Sequence, residues 1–345
     1  MFKRLLLATV LQVSSLLLLT GADTAMGAEV RRLTGSGASF PYPLYSAWFK
    51  DFSRMRKDVN IDYQAKGSGA GVQDFINKTV DFAASDAAMK PEEIAKVPGG
   101  VVLLPMTGGE IVLAYNMPGV KGLKLPRDVY PDIFQGKITQ WNDPRIQNAN
   151  SGVKLPAMPI TVVRRADSSG TTFVFTSHLS AISPSWKAGP GAGTTVNWPS
   201  SDKIIAAPKN DGVTAMIKQT PGAIGYVEYA FAMGARVEMA ALENSSGNFV
   251  KPGPEGGAAT LASAELPENL IAWVLDPAGE KAYPIATFTW MLFYKDNGDP
   301  KKAAILRDVV EYGLTTGQKI APKMGYIPLP ANVVKAVRAA SANIQ

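Results

Sequence analysis

Ile160-Thr161-Val162-Val163-Arg164-Arg165-Ala166-Asp167-Ser168-Ser169-Gly170-Thr171 joins two different kinds of chain through a corner of small residues. Its first four residues are a β-branched run of strand type. From Thr171 to Ile182 the period changes, and Phe175, Leu179 and Ile182 recur at i, i+4, i+7, the spacing of a helix with one apolar face. Asp167 to Thr171 therefore lies where a strand feeds a helix N-terminus, and it is built from glycine and hydroxyl residues.

The same construction occurs twice more. Gly35-Ser36-Gly37-Ala38-Ser39-Phe40-Pro41 precedes the helical pattern Leu44 to Phe52, and Gly67-Ser68-Gly69-Ala70-Gly71 follows a strand ending near Gln64 and opens a helix through Phe75-Ile76. Further β-rich runs stand at Val101 to Leu104 and Ile111 to Tyr115, and residues 301–312 and 331–344 read as helices. Alternation of this kind predicts an α/β architecture. Gly189 to Gly193 and Gly247 to Gly257 read as surface loops. Neither separates two self-contained halves, so the domains are not simply consecutive.

A helix N-terminus presents unpaired N–H groups and the positive end of the helix dipole. Glycine lets an anion approach the backbone, and Ser or Thr adds a neutral donor. Any one corner is also what an ordinary N-cap looks like. Two charged features favour the anion. Arg164-Arg165 stands just before the third corner, and arginine offers a planar fork suited to tetrahedral oxyanions. Asp86 ends the short apolar run Phe82-Ala83-Ala84-Ser85, where a lone carboxylate is unexpected. Such a carboxylate repels a fully deprotonated anion but accepts a proton from a partly protonated one. Phosphate keeps a proton near neutral pH and sulfate keeps none, so an acceptor among donors filters against sulfate.

Composition narrows the class. Of 345 residues 46% are hydrophobic and 19% charged, a globular balance rather than a disordered one. The net charge of +6 favours anionic partners, but no basic run is interleaved with aromatics, which argues against nucleic acid. Lys3-Arg4, the apolar run Leu5 to Leu19 and the small residues through Ala28 have the layout of a secretory signal peptide, with cleavage expected after Gly27. Cysteine is absent, which excludes disulfides, thiolate metal sites and a thioether-linked lipid, and so points to a periplasmic protein. Neither cofactor nor metal is expected. An esterase or phosphatase would need a base beside Ser68 or Ser169. The single histidine, His178, lies nine residues past Ser169 on the same expected helix, about 13 Å along its axis. A receptor for another oxyanion, sulfate or molybdate, is the nearer alternative, and Asp86 is the residue that discriminates. A secreted scavenger or signalling protein is a further option.

These segments resemble the phosphate-binding subunit of the high-affinity phosphate ABC transporter. The resemblance runs from Leu33-Thr34-Gly35-Ser36-Gly37-Ala38-Ser39-Phe40-Pro41 to Leu329-Pro330 and the helix after it. It includes Thr79 to Asp86, Gly136 to Asp143, Val163 to Thr176 and Pro221 to Tyr229. It implies a two-lobed periplasmic binding protein fold with the ligand in the cleft and two segments crossing between lobes. Residues 28–107 with 287–345 would form lobe one, and 108–286 lobe two. It further implies phosphate binding by Ser39, Phe40, Ser68, Asp86, Arg165, Ser169, Gly170 and Thr171, with Asp167 holding the arginine. The implied protein is a monomer without enzymatic activity that hands phosphate to membrane permease subunits and their ATPase. Two departures from the family pattern stand out. Position 39 is Ser where Thr is frequent, and the second corner reads Gly-Ser-Gly-Ala-Gly where Gly-Ser-Ser-Gly-Gly is familiar, so any contact from Gly69 is made by its backbone.

Overall fold

The computed structural model describes residues 30–345, and the expected signal peptide and its cleavage point lie outside them. The main sheet contains β1 (Arg31–Gly37), β2 (Val59–Ala65), β3 (Phe82–Ser85), β4 (Val101–Tyr115), β5 (Thr161–Arg165), β6 (Ile204–Ala207), β7 (Ala223–Glu228) and β8 (Ala286–Tyr294). Their order across it is β2-β1-β3-β8-β4-β7-β5-β6, with the short strand Glu238–Met239 paired to β4. Each end of the sheet is parallel: β1 pairs with β2 and β3, and β5 with β6 and β7. The antiparallel strands β8 and β4 run through the middle.

β4 and β8 are the two segments that link the halves. Residues Val101 to Glu110 of β4 pair with β8, and Ile111 to Tyr115 pair with β7. The two runs read separately in the sequence are thus one fifteen-residue strand. Pro105 cannot donate to a ladder. It is accommodated opposite Trp290, where β8 shifts register between Thr289 and Trp290.

Four parallel strands feed helices: β1 leads to α1 (Tyr42–Met55), β2 to α2 (Ser68–Ile76), β5 to α3 (Gly170–Ile182) and β6 to α4 (Lys209–Gln219). The α1 stripe of Leu44, Tyr45, Trp48, Phe49 and Phe52 is buried, which orients that helix along the sheet. α2 lies unusually close to β1 because Gly71 meets Gly37 backbone to backbone; a Cβ on Gly71 would come within 2.3 Å of the Gly37 Cα. In open α/β sheets, ligands bind outside the carboxyl ends of the strands. Here all four of those ends carry a corner.

α5 (Tyr229–Ala235) and α6 (Pro254–Ala262) complete the second half, and α7 (Pro300–Tyr312) and α8 (Ala331–Ser341) pack on the first. α6 corrects the expected loop from Gly247 to Gly257. Its buried glycines let the helix start sit against β4, where Gly253 N donates to Glu110 Oε2 at 2.7 Å. Among the described residues no helix is long and apolar enough to cross a membrane.

Candidate functional site

The residues singled out from sequence converge between the two halves. Ser39, Phe40, Ser68, Asp86, Arg165, Ser169 and Thr171 are each no more than 3% exposed, and Gly170 is buried with them. Asp167 lies at their edge, half-buried.

Arg165 ends β5 and points inward. Its Nε and Nη2 donate to the Asp167 carboxylate, the Nε bond at 2.8 Å, and Nη1 donates to Thr171 Oγ1 at 3.2 Å. Lys209 N also donates to Asp167, at 2.9 Å. Burial acts to raise the Asp167 carboxyl, but the hydrogen bonds and charge of Arg165 outweigh it and hold it below its ordinary value. The guanidinium is therefore fixed as a rigid donor plane. Arg164, next to it, is only partly buried and donates to Arg165 O at 3.0 Å.

The third corner behaves as its residues require. Ser169 caps α3, its Oγ accepting from Thr172 N at 3.0 Å. Gly170 then passes so close to the other half that a Cβ there would lie 2.6 Å from Ser68 Oγ and 2.7 Å from Asp86 Cβ. Gly69 N donates to Ser168 O at 3.1 Å, which ties the second corner to the third. The glycine at position 69 is what permits this, since a Cβ would meet Ser168 Oγ at 2.2 Å. The Gly69 N–H is thus taken up by Ser168.

Asp86 sits just past β3. Thr289 Oγ1 donates to its Oδ1 at 2.8 Å, and its backbone N donates to Ser68 Oγ at 3.3 Å. Burial pushes its carboxyl up to about 7, against the opposing effects of Thr289, Arg165 and Ser68. Within the shell it stands as a lone carboxylate among hydroxyls, backbone N–H groups and a guanidinium.

Two contributors were not apparent from sequence. Asn210, at the second position of α4, is fully buried, and both its backbone N and its Nδ2 donate to Ser39 Oγ across the cleft, at 3.2 and 3.1 Å. Thr289 is brought beside Asp86 by the antiparallel pairing of β8 with β3, in which its neighbour Trp290 faces Ser85. His178 is buried in α3 with Nε2 2.7 Å from Tyr130 Oη, and burial lowers it to about 4. It faces that tyrosine rather than Ser169, so it cannot activate a serine nucleophile.

Two α/β halves, joined by two strands and closed on a buried shell of donors, define a two-lobed binding protein. Residues 22–315 match the PBP superfamily domain. The chain is 36% identical over 319 residues to the phosphate-binding protein PstS of Pasteurella multocida, covering 91% of each. It is 38% identical to the phosphate-binding protein PstS of Methanocaldococcus jannaschii, over 87% of this chain and 83% of that one. It belongs to the PstS family of phosphate-binding proteins. The fold is similar to that of a high-affinity periplasmic phosphate-binding protein, PfluDING, solved with phosphate, with a TM-score of 0.76 at 23% identity over 90% of this chain and 93% of that one.

Proposed function

We propose that this protein binds inorganic phosphate in the periplasm and delivers it to the permease and ATPase subunits of an ABC importer. The observation that carries this is the placement of Asp86, a single buried acceptor with its carboxyl near 7, among donors from Arg165 and several helix starts. The shell would consist of Ser39, Phe40, Ser68, Asp86, Arg165, Ser169, Gly170 and Thr171, with Asp167 orienting the guanidinium. Asp86 would accept the phosphate proton. Membership of the PstS family supports the ligand, and the resemblance to the transporter's binding subunit supports the delivery step.

The two lobes would be 28–107 with 287–345, and 108–286. The change of β4 partner from β8 to β7 between Glu110 and Ile111 supports a hinge close to those limits. Contacts that span the cleft, Gly69 to Ser168 and Asn210 to Ser39, would form on closure and desolvate the anion. Isothermal titration of the ligand-stripped protein with phosphate, repeated in excess sulfate, tests the function. One-to-one phosphate binding that sulfate does not displace is expected. Displacement by sulfate would remove the filtering role from Asp86, and absence of phosphate binding would overturn the function itself.

A further inference from the structure

We infer that Asn210 is a positioning residue that compels the Ser39 and Thr171 hydroxyls to act as donors toward the anion; this rests on the phosphate-binding function proposed above. A hydroxyl has one hydrogen to give and two lone pairs to receive with. Ser39 Oγ receives Asn210 N and Asn210 Nδ2, at 3.2 and 3.1 Å. Thr171 Oγ1 receives Arg165 Nη1 and Asn210 Nδ2, at 3.2 and 3.3 Å. Both oxygens have their accepting capacity filled, so each O–H is left to point at whatever occupies the shell. The orientation of the Asn210 amide is fixed by its other partner: Glu228 N donates to Oδ1 at 3.1 Å, which leaves Nδ2 on the hydroxyls.

The arrangement also depends on closure. Ser39 lies before α1 and Asn210 at the start of α4, on opposite sides of the cleft. In the open form Ser39 has no reason to present its hydrogen inward, because its lone pairs face water. Closure thus sets the donor count of the site while it excludes solvent. This role belongs to neither helix dipole nor charge, and Asn210 needs no contact with the anion to perform it.

Asn210→Asp and Asn210→Ala separate this role from simple packing. The aspartate variant keeps the shape and still accepts from Glu228 N, but its second oxygen calls both hydroxyl hydrogens to itself and adds negative charge. The alanine variant removes the amide and leaves the hydroxyls free to turn toward the anion. Phosphate affinity is expected to fall about tenfold in Asn210→Ala, the size of a lost neutral hydrogen bond, and more than about a hundredfold in Asn210→Asp. The difference between the variants should shrink between about pH 8 and pH 5.5, because protonation of the introduced carboxyl restores a donor there. Asp86, Arg165 and Glu228, which face the same region, are common to both variants, so the ratio of their affinities isolates position 210.

Titration calorimetry of wild type and both variants across that range, with melting temperatures alongside, decides the matter. Wild-type binding establishes the function on which the inference rests, and its absence would refute that function first. With wild type binding, equal weakening of the two variants at every pH would refute the role of Asn210, as would wild-type affinity in Asn210→Asp. A purely structural asparagine would lower melting temperature and affinity together and leave the ratio flat with pH.

Discussion

Replacing Asp86 by Asn should make the ligand-free protein more stable and its ligand selection worse. Asp86 is fully buried, and burial lifts its carboxyl from 3.8 to about 7. A folded-state value above the unfolded one means that the native protein holds this proton more tightly. The stability contributed by the protonated group is complete below about 3.8, declines as pH rises toward 7, and is gone above it. A rise of roughly three on the pH scale, at about 1.36 kcal/mol each, makes the ionised group cost ~4 kcal/mol at pH 8. Asn carries no charge at any pH and can still accept from Thr289 Oγ1, so it avoids that cost. Urea unfolding of phosphate-stripped protein should therefore show Asp86→Asn more stable than wild type by several kcal/mol near pH 8 and by little near pH 4. In sulfate competition the same variant should lose discrimination, because its amide donates where the carboxylate accepts. A stability difference that does not grow with pH would mean that Asp86 is not held as a buried charge, and the proton-acceptor argument would fail with it.

Arg165→Ala should weaken phosphate binding by about 2–5 kcal/mol, the range for truncating a buried charged hydrogen-bond partner, or about thirty- to several-thousand-fold in Kd. Calorimetry giving an unchanged Kd would remove Arg165 from the site. Gly170→Ala places a methyl within 2.6 Å of Ser68 Oγ in the closed form, and should cost about 1–3 kcal/mol of phosphate affinity through overpacking. Because the clash arises between halves, the melting temperature of the phosphate-free protein should hold; a fall in melting temperature with unchanged affinity would place the strain within one half instead.

Most of the shell was legible because its chemistry is local. A strand, a Ser-Gly corner and a helix occupy about ten consecutive residues, and the residue types themselves announce a close backbone approach. Helix limits followed the periodicity well: Thr171 to Ile182 became Gly170–Ile182, and residues 301–312 became Pro300–Tyr312. Asn210 and Thr289 were not legible because their roles exist only in three dimensions. Asn210 sits at a fourth helix start, and its partner Ser39 is 171 residues away. Thr289 lies in the apolar strand Phe288-Thr289-Trp290-Met291, 203 residues from Asp86, and is brought there by the pairing of β8 with β3, which no local pattern encodes.

The balance of charge explains why the shell is built from so many neutral donors. Arg165 is the cation of the shell, and Asp167 already neutralises it through two hydrogen bonds. Asp86 adds a further carboxylate, so the shell residues hold no surplus positive side-chain charge with which to attract a dianion. Stabilisation has to come from oriented dipoles: the helix starts at Ser68 and Gly170, and hydroxyls whose hydrogens are directed inward. The neighbouring Glu228 fits this scheme. Burial pushes its carboxyl well above the ordinary range, with the Asp86 charge adding to the effect. Two buried carboxyls in one region thus meet different surroundings. Asp86 has Thr289, Arg165 and Ser68 to favour its charged form. For Glu228 the help comes chiefly from backbone N–H groups at the start of α5, and one of its carboxyl oxygens has no partner among the described residues. Under the proposed function, that difference would set the selectivity of the cleft: one carboxylate kept on the edge of ionisation, at a cost in stability, where a ligand's proton can meet it.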